Sequence, residues 1–451
     1  MGTRLPPGPP LPGLVQGLLM FSRPEAFLQF CYRRYGGCFT VRAAGLGTYV
    51  YLTDPADIRA VFRDDADTFH AGEANGLVLA SLLGPASVLV TDGEVHRRQR
   101  RLMAPAFHGN AVARLASTMA AIAAADIETW PVRQPFPVAS RLRQITLEVI
   151  LRAVIGADDP ARLAALRAVL PPLVDLNLFN VLPFAFPALA GRGPWKRYQA
   201  VAERADAALR AEIAHSKQDP ALGQRTDVLA MLIRARDADG SAMTDSELRD
   251  QLVTLLLAGH ETTATALAWA LERLIRHPAV LDKAQRAARE GDPGYLDAIV
   301  AETLRVRPVV PDISRRLTRP AQVAGYLLPA GIMVDPAIPL VQRAARHYPR
   351  PLEFDPDRFA ARPPDPLVWL PFGGGTRRCL GAAFACTEMR IVLAEVLRRT
   401  ELQTTAARAE PAKVRHVTLV PRHGARITIN RQIPAGSTTA GRAAASTTAA
   451  T

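Results

Sequence analysis

Lysine is almost missing from this sequence. Lys196, Lys217, Lys283 and Lys413 are the only four among 55 basic residues, so a formal charge of +13 is carried by arginine. A basic chain can face nucleic acid, an anionic membrane or an acidic protein. The arginines are spread along the whole chain and no aromatic-interleaved basic stretch occurs, which speaks against nucleic acid and favours an acidic protein partner. Cysteine is scarce too. Cys31, Cys38, Cys379 and Cys386 form no C-x-x-C pair and no disulfide framework, as expected in a reducing compartment. No apolar run reaches the roughly eighteen residues of a membrane span. The longest, residues 252–259, is cut by His260 and Glu261. The opening stretch, residues 5–13, is Pro-rich where a signal peptide would need an apolar core. A cytoplasmic protein with no transmembrane anchor is the expectation. The G-x-G-x-x-G fingerprint of a dinucleotide fold is also missing, so any electrons the protein uses must arrive from elsewhere.

What is present centres on residues 372–381, Phe-Gly-Gly-Gly-Thr-Arg-Arg-Cys-Leu-Gly, followed by a helical pattern over 382–397. Three consecutive glycines allow tight folding and close approach to something flat. Arg377, Arg378 and the start of the helix are expected to lower the Cys379 pKa and favour the thiolate that ligates metals. One thiolate is too few ligands for zinc or an iron–sulfur cluster, which take about four. It is enough for haem, where the porphyrin supplies the other donors.

Elsewhere the pattern predicts mainly helix. Pro24–Tyr35 should be helical, residues 38–41 and 49–52 should pair as a hairpin, and Asp54-Pro55 should open a short helix to Phe62. Residues 69–93, broken by Gly72, Gly76, Gly84 and Pro85, read as an irregular functional loop. Asp92-Gly93-Glu94 opens a helix on which His96 and Arg100 share a face and could together hold an anionic group. Residues 170–194 carry five prolines among apolar residues and cannot form one regular helix. Thr244 and Glu247 form a capping box for a helix running to about Arg276. In its centre stand Ala258-Gly259-His260-Glu261-Thr262-Thr263, a poor choice for helix stability, since Gly costs about 1 kcal/mol relative to Ala. Glu302 and Arg305 are helix neighbours at i, i+3, residues 324–331 read as a hairpin, and the tail beyond Pro434 is too poor in apolar residues to pack.

The order Phe-x-x-Gly-x-Arg-x-Cys-x-Gly closely resembles the haem-binding loop of the cytochrome P450 family. Ala-Gly-x-Glu-Thr-Thr matches the family's oxygen-activating motif, and Glu302-x-x-Arg305 with Arg358 matches its charged lock behind the haem loop. The resemblance, over roughly residues 13–430, implies a mainly α fold with a minor β portion, as one domain over 1–433 with a disordered tail at 434–451. It implies haem b with Cys379 as the axial metal ligand. Phe372, Gly375, Gly381, Ala258 and Gly259 would lie against the haem, His96, Arg100 and Arg315 would meet its propionates, and Arg377 would contact a propionate or the loop itself. Arg316 is the rival to Arg315, and His96 stands where many members have Trp. Thr262 and Glu261 would manage protons, Val309 and Val310 would contact substrate, and residues 170–194 would fall in the access lid. The activity implied is monooxygenation of a lipophilic small molecule with O2, using electrons from a ferredoxin and its reductase. Rival readings are a peroxide-dependent or isomerase-type haem-thiolate enzyme, or a non-catalytic haem sensor.

Overall fold

The longest element is the helix Asp245–Leu274, and its ends explain its start and its reach. The Thr244 hydroxyl accepts from the Glu247 N–H, and the Glu247 carboxylate accepts from the Thr244 N–H, so two orphan donors of the first turn are satisfied reciprocally. At about 1.5 Å per residue it runs some 45 Å. Leucines and alanines on every side of it are buried, among them Leu248, Leu252, Leu256, Leu267 and Leu271, so it is a core helix rather than an amphipathic one. A computed structural model describes this protein over residues 4–64, 66–174, 194–415 and 417–434.

Against this central helix pack Val138–Val149, which continues into a π-helical turn at Ile150–Val154, and the helices Pro293–Val306 and Ala382–Arg399. Two large apolar clusters fill the body, one toward the first half of the central helix and one toward its second half. Among the described residues the minor β portion comprises four two-stranded sheets and one five-stranded sheet. Its hairpin pairs Cys38–Ala43 with Gly47–Leu52, Cys38 opposite Leu52. Gly47–Leu52 then runs parallel to Met333–Pro336, which pairs with Arg315–Leu317, and Phe69–His70 closes the edge. The hairpin expected at 324–331 is centred earlier. It joins Ala321–Val323 to Tyr326–Leu328, turning at Ala324 and Gly325, both with positive φ.

Residues 69–93 are not the irregular loop that their glycines predict. Ala71–Leu83 is a helix. Its first turn is capped from outside, since Asp92 accepts from the N–H groups of Gly72 and Glu73 at 2.9 and 2.8 Å. A Cβ on Gly72 would lie 2.5 Å from Asp92 Oδ2, so that glycine makes room for the cap instead of breaking the helix. The irregular part, from Gly84 onward, is stapled to the central helix. Asp250 accepts from Ala86 N–H, Gln251 accepts from Val88 N–H, and Thr254 meets Ser87. Of the expected lid, the helix Pro160–Val174 carries Pro171 and Pro172 in its final turn, and residues 175–193 lie outside the described residues, as does the tail from 435.

Candidate functional site

The loop 372–381 is shaped by its glycines, each for a different reason. Gly373 and Gly375 have φ of +64° and +68°, the left-handed region that favours glycine. Gly374 is extended, and its small size serves close approach: a Cβ there would sit 2.3 Å from Cδ2 of Phe62, on the helix Pro55–Arg63. Cys379 N–H then donates to the Phe372 carbonyl at 2.9 Å, which closes the loop, and Gly381 begins the helix Ala382–Arg399. The Phe372 ring is fixed edge-on against Trp369, with 5.7 Å between ring centres.

The Cys379 thiol departs from expectation. Burial is the largest influence and pushes its pKa up; the Gly381 N–H and the charges of Arg100 and Arg378 oppose this without overcoming it. The helix start and the arginines pull in the direction read from the sequence, but desolvation outweighs them, so the thiolate needs the positive charge of a bound metal. Although Cys379 is deep enough to be strongly desolvated, the residue is exposed. It is therefore accessible although set among desolvating neighbours. Ala258 is likewise exposed, on a helix most of whose residues are buried, and Leu255, Leu257, Gly259, Glu261 and Thr262 around it are half-buried.

Four of the residues picked for one anionic group come together. His96 is buried, and its pKa falls to about 4, first through desolvation and then through the charges of Arg377, Arg100 and Arg315. Arg316 is not among those charges. On the strand Arg315–Leu317 adjacent side chains point to opposite faces, and Arg315 is the one turned inward, 3% exposed. Its guanidinium stands over the Phe62 ring, 5.6 Å from the centre. Arg377 reaches back to the Val88 and Thr91 carbonyls and to Asp92, so the carboxylate that caps Ala71–Leu83 also anchors the cysteine loop. Arg97 and Arg101 turn away, pairing with Glu94, and Arg101 with Asp237 as well.

On the central helix, Thr262 Oγ1 donates to the Ala258 carbonyl, which loosens that turn. Gly259 is used for packing, since a Cβ would lie 3.0 Å from Ile150 Cδ1 on the π-helical turn. Glu261 lies between Arg143 and Arg415, 3.8 and 3.5 Å from its Oε1. His260 is buried beside Thr146, Nδ1 to Oγ1 at 3.0 Å, and burial with the charges of Arg143 and Arg415 lowers its pKa to about 4. Thr263 is buried.

Glu302, Arg305 and Arg358 also meet. Both Glu302 oxygens accept from Arg305, at 2.7 and 2.8 Å, and Oε1 accepts from Arg358 at 3.1 Å and from Asp355 N–H. Arg305 donates further to the Gln342, Pro351 and Glu353 carbonyls, so a fully buried guanidinium has every face occupied. Val309 is packed into the core near the second half of the central helix, whereas Val310 is half-buried against it.

Sequence reasoning missed Phe62, Asp92, Arg143, Thr146 and Arg415, each far in the chain from the group it serves. The residues present fit a haem: a single accessible sulfur, an imidazole with three guanidiniums for two carboxylates, and an accessible small residue on the central helix. Among the described residues no group of three or more His, Cys, Asp or Glu could hold a metal ion by itself. A porphyrin would supply the missing donors.

Comparison with known proteins agrees with this arrangement. The cytochrome P450 family model matches residues 6–428. Cytochrome P450 135B1 of Mycobacterium tuberculosis is 56% identical over 431 residues, covering 94% of this chain and 91% of its own. Cytochrome P450 135A1 of the same organism is 38% identical over 427 residues, 94% and 95% of the two chains. Among solved structures, a retinoic acid-bound cyanobacterial CYP120A1 superposes with a TM-score of 0.81 at 24% identity, over 96% of this chain and all of that one. The heme domain of cytochrome P450DA gives 0.79 at 24% identity, over 95% and 98%. With the motifs, the fold and the match along nearly the whole sequence in agreement, the chain belongs to the cytochrome P450 family of haem-thiolate monooxygenases.

Proposed function

We propose that Cys379 is the axial thiolate of a haem b and that the protein oxidises a lipophilic small molecule with O2, drawing electrons from a ferredoxin and its reductase. The observation that carries this reading is that Cys379 and Ala258, the latter in the middle of a mostly buried helix, are both accessible. A bound haem supplies the redox chemistry of oxygen activation, and a thiolate ligand favours O–O cleavage. Everything else falls to the chain. His96, Arg100, Arg315 and Arg377 hold the propionates, and Phe372, Gly375 and Gly381 shape the sulfur side. Thr262 Oγ1, whose hydrogen goes to the Ala258 carbonyl, keeps its oxygen free to accept from a water on the central helix. Glu261, held loosely by Arg143 and Arg415, moves protons from solvent toward that water.

Val310 retains surface for substrate contact and Val309 supports it from the core. The Glu302–Arg305–Arg358 cluster fixes the backbone behind the cysteine loop without taking part in chemistry. One domain, residues 1–433, carries the whole site. The exposed Arg378 beside Cys379, on a chain of charge +13, suits an acidic electron donor. The test is turnover of a substrate found by its spectral shift. Ferredoxin and reductase should support product formation, and Thr262→Ala should keep haem while diverting electrons from product to peroxide. Turnover with peroxide alone, indifferent to the reductase and to Thr262→Ala, would favour a peroxide-dependent enzyme instead.

A further inference from the structure

A cavity of about 230 Å³ opens on the side of the central helix where Glu261 is held, and its charge is of one sign. Arg143 comes from the helix Val138–Val149, Lys413 and Arg415 from the strand Ala412–Arg415, and Arg422 from the turn after the strand Thr418–Pro421. No acidic residue lines it. Arg143 and Arg415 pair with Glu261 at 3.8 and 3.5 Å, and among the described residues Lys413 and Arg422 have no ion-pair partner. Glu261 offsets Arg143 and Arg415, while Lys413 and Arg422 bring further positive charge to the same recess, and a cleft lined by one sign of charge concentrates counter-ions. The lining also has an apolar part, to which the buried Ala264 and Val420 belong. A volume below the roughly 300–1,000 Å³ of drug-sized sites suits a small ligand.

We propose that this cavity is a binding site for a small organic oxyanion, a phosphate monoester or carboxylate whose head meets the four cations and whose short apolar body rests on Ala264 and Val420. Its lining includes none of Cys379, Ala258, His96, Arg100, Arg315 and Arg377, and the proposal does not depend on the role assigned to Glu261. An occupant competes with Glu261 for Arg143 and Arg415, so it is placed to act on the central helix from outside.

The test is calorimetric titration of the haem-loaded protein with phenyl phosphate, benzoate and inorganic phosphate at constant ionic strength, with the haem absorption recorded in parallel. Phenyl phosphate or benzoate should bind saturably without shifting the haem band, and inorganic phosphate, which has the head without the body, more weakly. A phosphate preference over benzoate identifies the ester as the ligand class, and the reverse identifies the carboxylate; either supports the site. Lys413→Ala combined with Arg422→Ala should weaken binding about tenfold or more while leaving the haem spectrum unchanged. Arg350→Ala, at an exposed site outside the cavity, should leave binding as it was. Absence of saturable binding overturns the proposal. So does binding that survives the double substitution, or binding that shifts the haem band and therefore belongs to the substrate side.

Discussion

Arg98 and Glu247 join the two walls of the site, with Arg98 Nη1 2.7 Å from Glu247 Oε1. Arg98 lies on the helix that carries His96 and Arg100, and Glu247 completes the capping box of the central helix carrying Glu261 and Thr262. One carboxylate thus closes a helix end and fixes the angle at which the propionate side meets the oxygen side. Arg98 also donates to the Ala242 carbonyl just before the cap.

This relationship predicts an asymmetry between the partners. Glu247→Ala removes the carboxylate's half of the capping box together with the ion pair and should cost about 1–2 kcal/mol. Arg98→Ala leaves the capping box whole, losing the pair and the contacts to the Ala242 carbonyl and Asp237, and should cost about 1 kcal/mol or less, its side chain being partly exposed. Chemical denaturation of the single and double variants checks it. The double variant should lose less stability than the sum of the two single changes, because they share the ion pair.

The cysteine loop should be sensitive to a single methyl group. Gly374→Ala places its Cβ against the Phe62 ring, and because the backbone there is extended, the difficulty is space and not conformation. Overpacking of this kind costs about 1–3 kcal/mol. Haem content per protein should fall in Gly374→Ala and recover when Phe62→Ala is added. Failure of the second change to restore it would show that Phe62 is not what Gly374 accommodates.

Acid should destabilise the protein through its buried imidazoles. His260 and His96 both have a folded pKa of about 4 against an ordinary 6.5, chiefly because burial disfavours the charged ring. Their contribution is fully present above about 6.5 and is lost as pH falls toward 4, where the unfolded chain takes up protons that the folded one refuses. Each is worth at most about 3 kcal/mol. His260→Gln keeps a donor toward Thr146 and cannot titrate. Denaturation midpoints at pH 7 and pH 4.5 should drop less in this variant than in the wild type.

The local part of the site was legible in the sequence because its chemistry is carried by short spacings. The capping box of Thr244 and Glu247, the His96–Arg100 face, the Glu302–Arg305 pair and the ten-residue cysteine loop all lie within a few residues of themselves. What escaped depends on distant chain meeting by tertiary packing. Nothing near Gly374 announces Phe62, and nothing near Glu261 announces Arg143 and Arg415. The glycines of 69–93 misled for the same reason, since Gly72 answers to Asp92, twenty residues on. The thiol was read in the wrong direction because Arg378 and the helix start are visible in sequence, while the depth of burial that outweighs them is not.

The central claim rests on Cys379, and the carbon monoxide difference spectrum of the reduced protein tests it most directly. The wild type should show the strongly red-shifted Soret band of a thiolate-ligated haem carbonyl, and Cys379→His should retain haem without that band. A fully haem-loaded wild type lacking the band, or a Cys379→His protein that keeps it, would contradict the account.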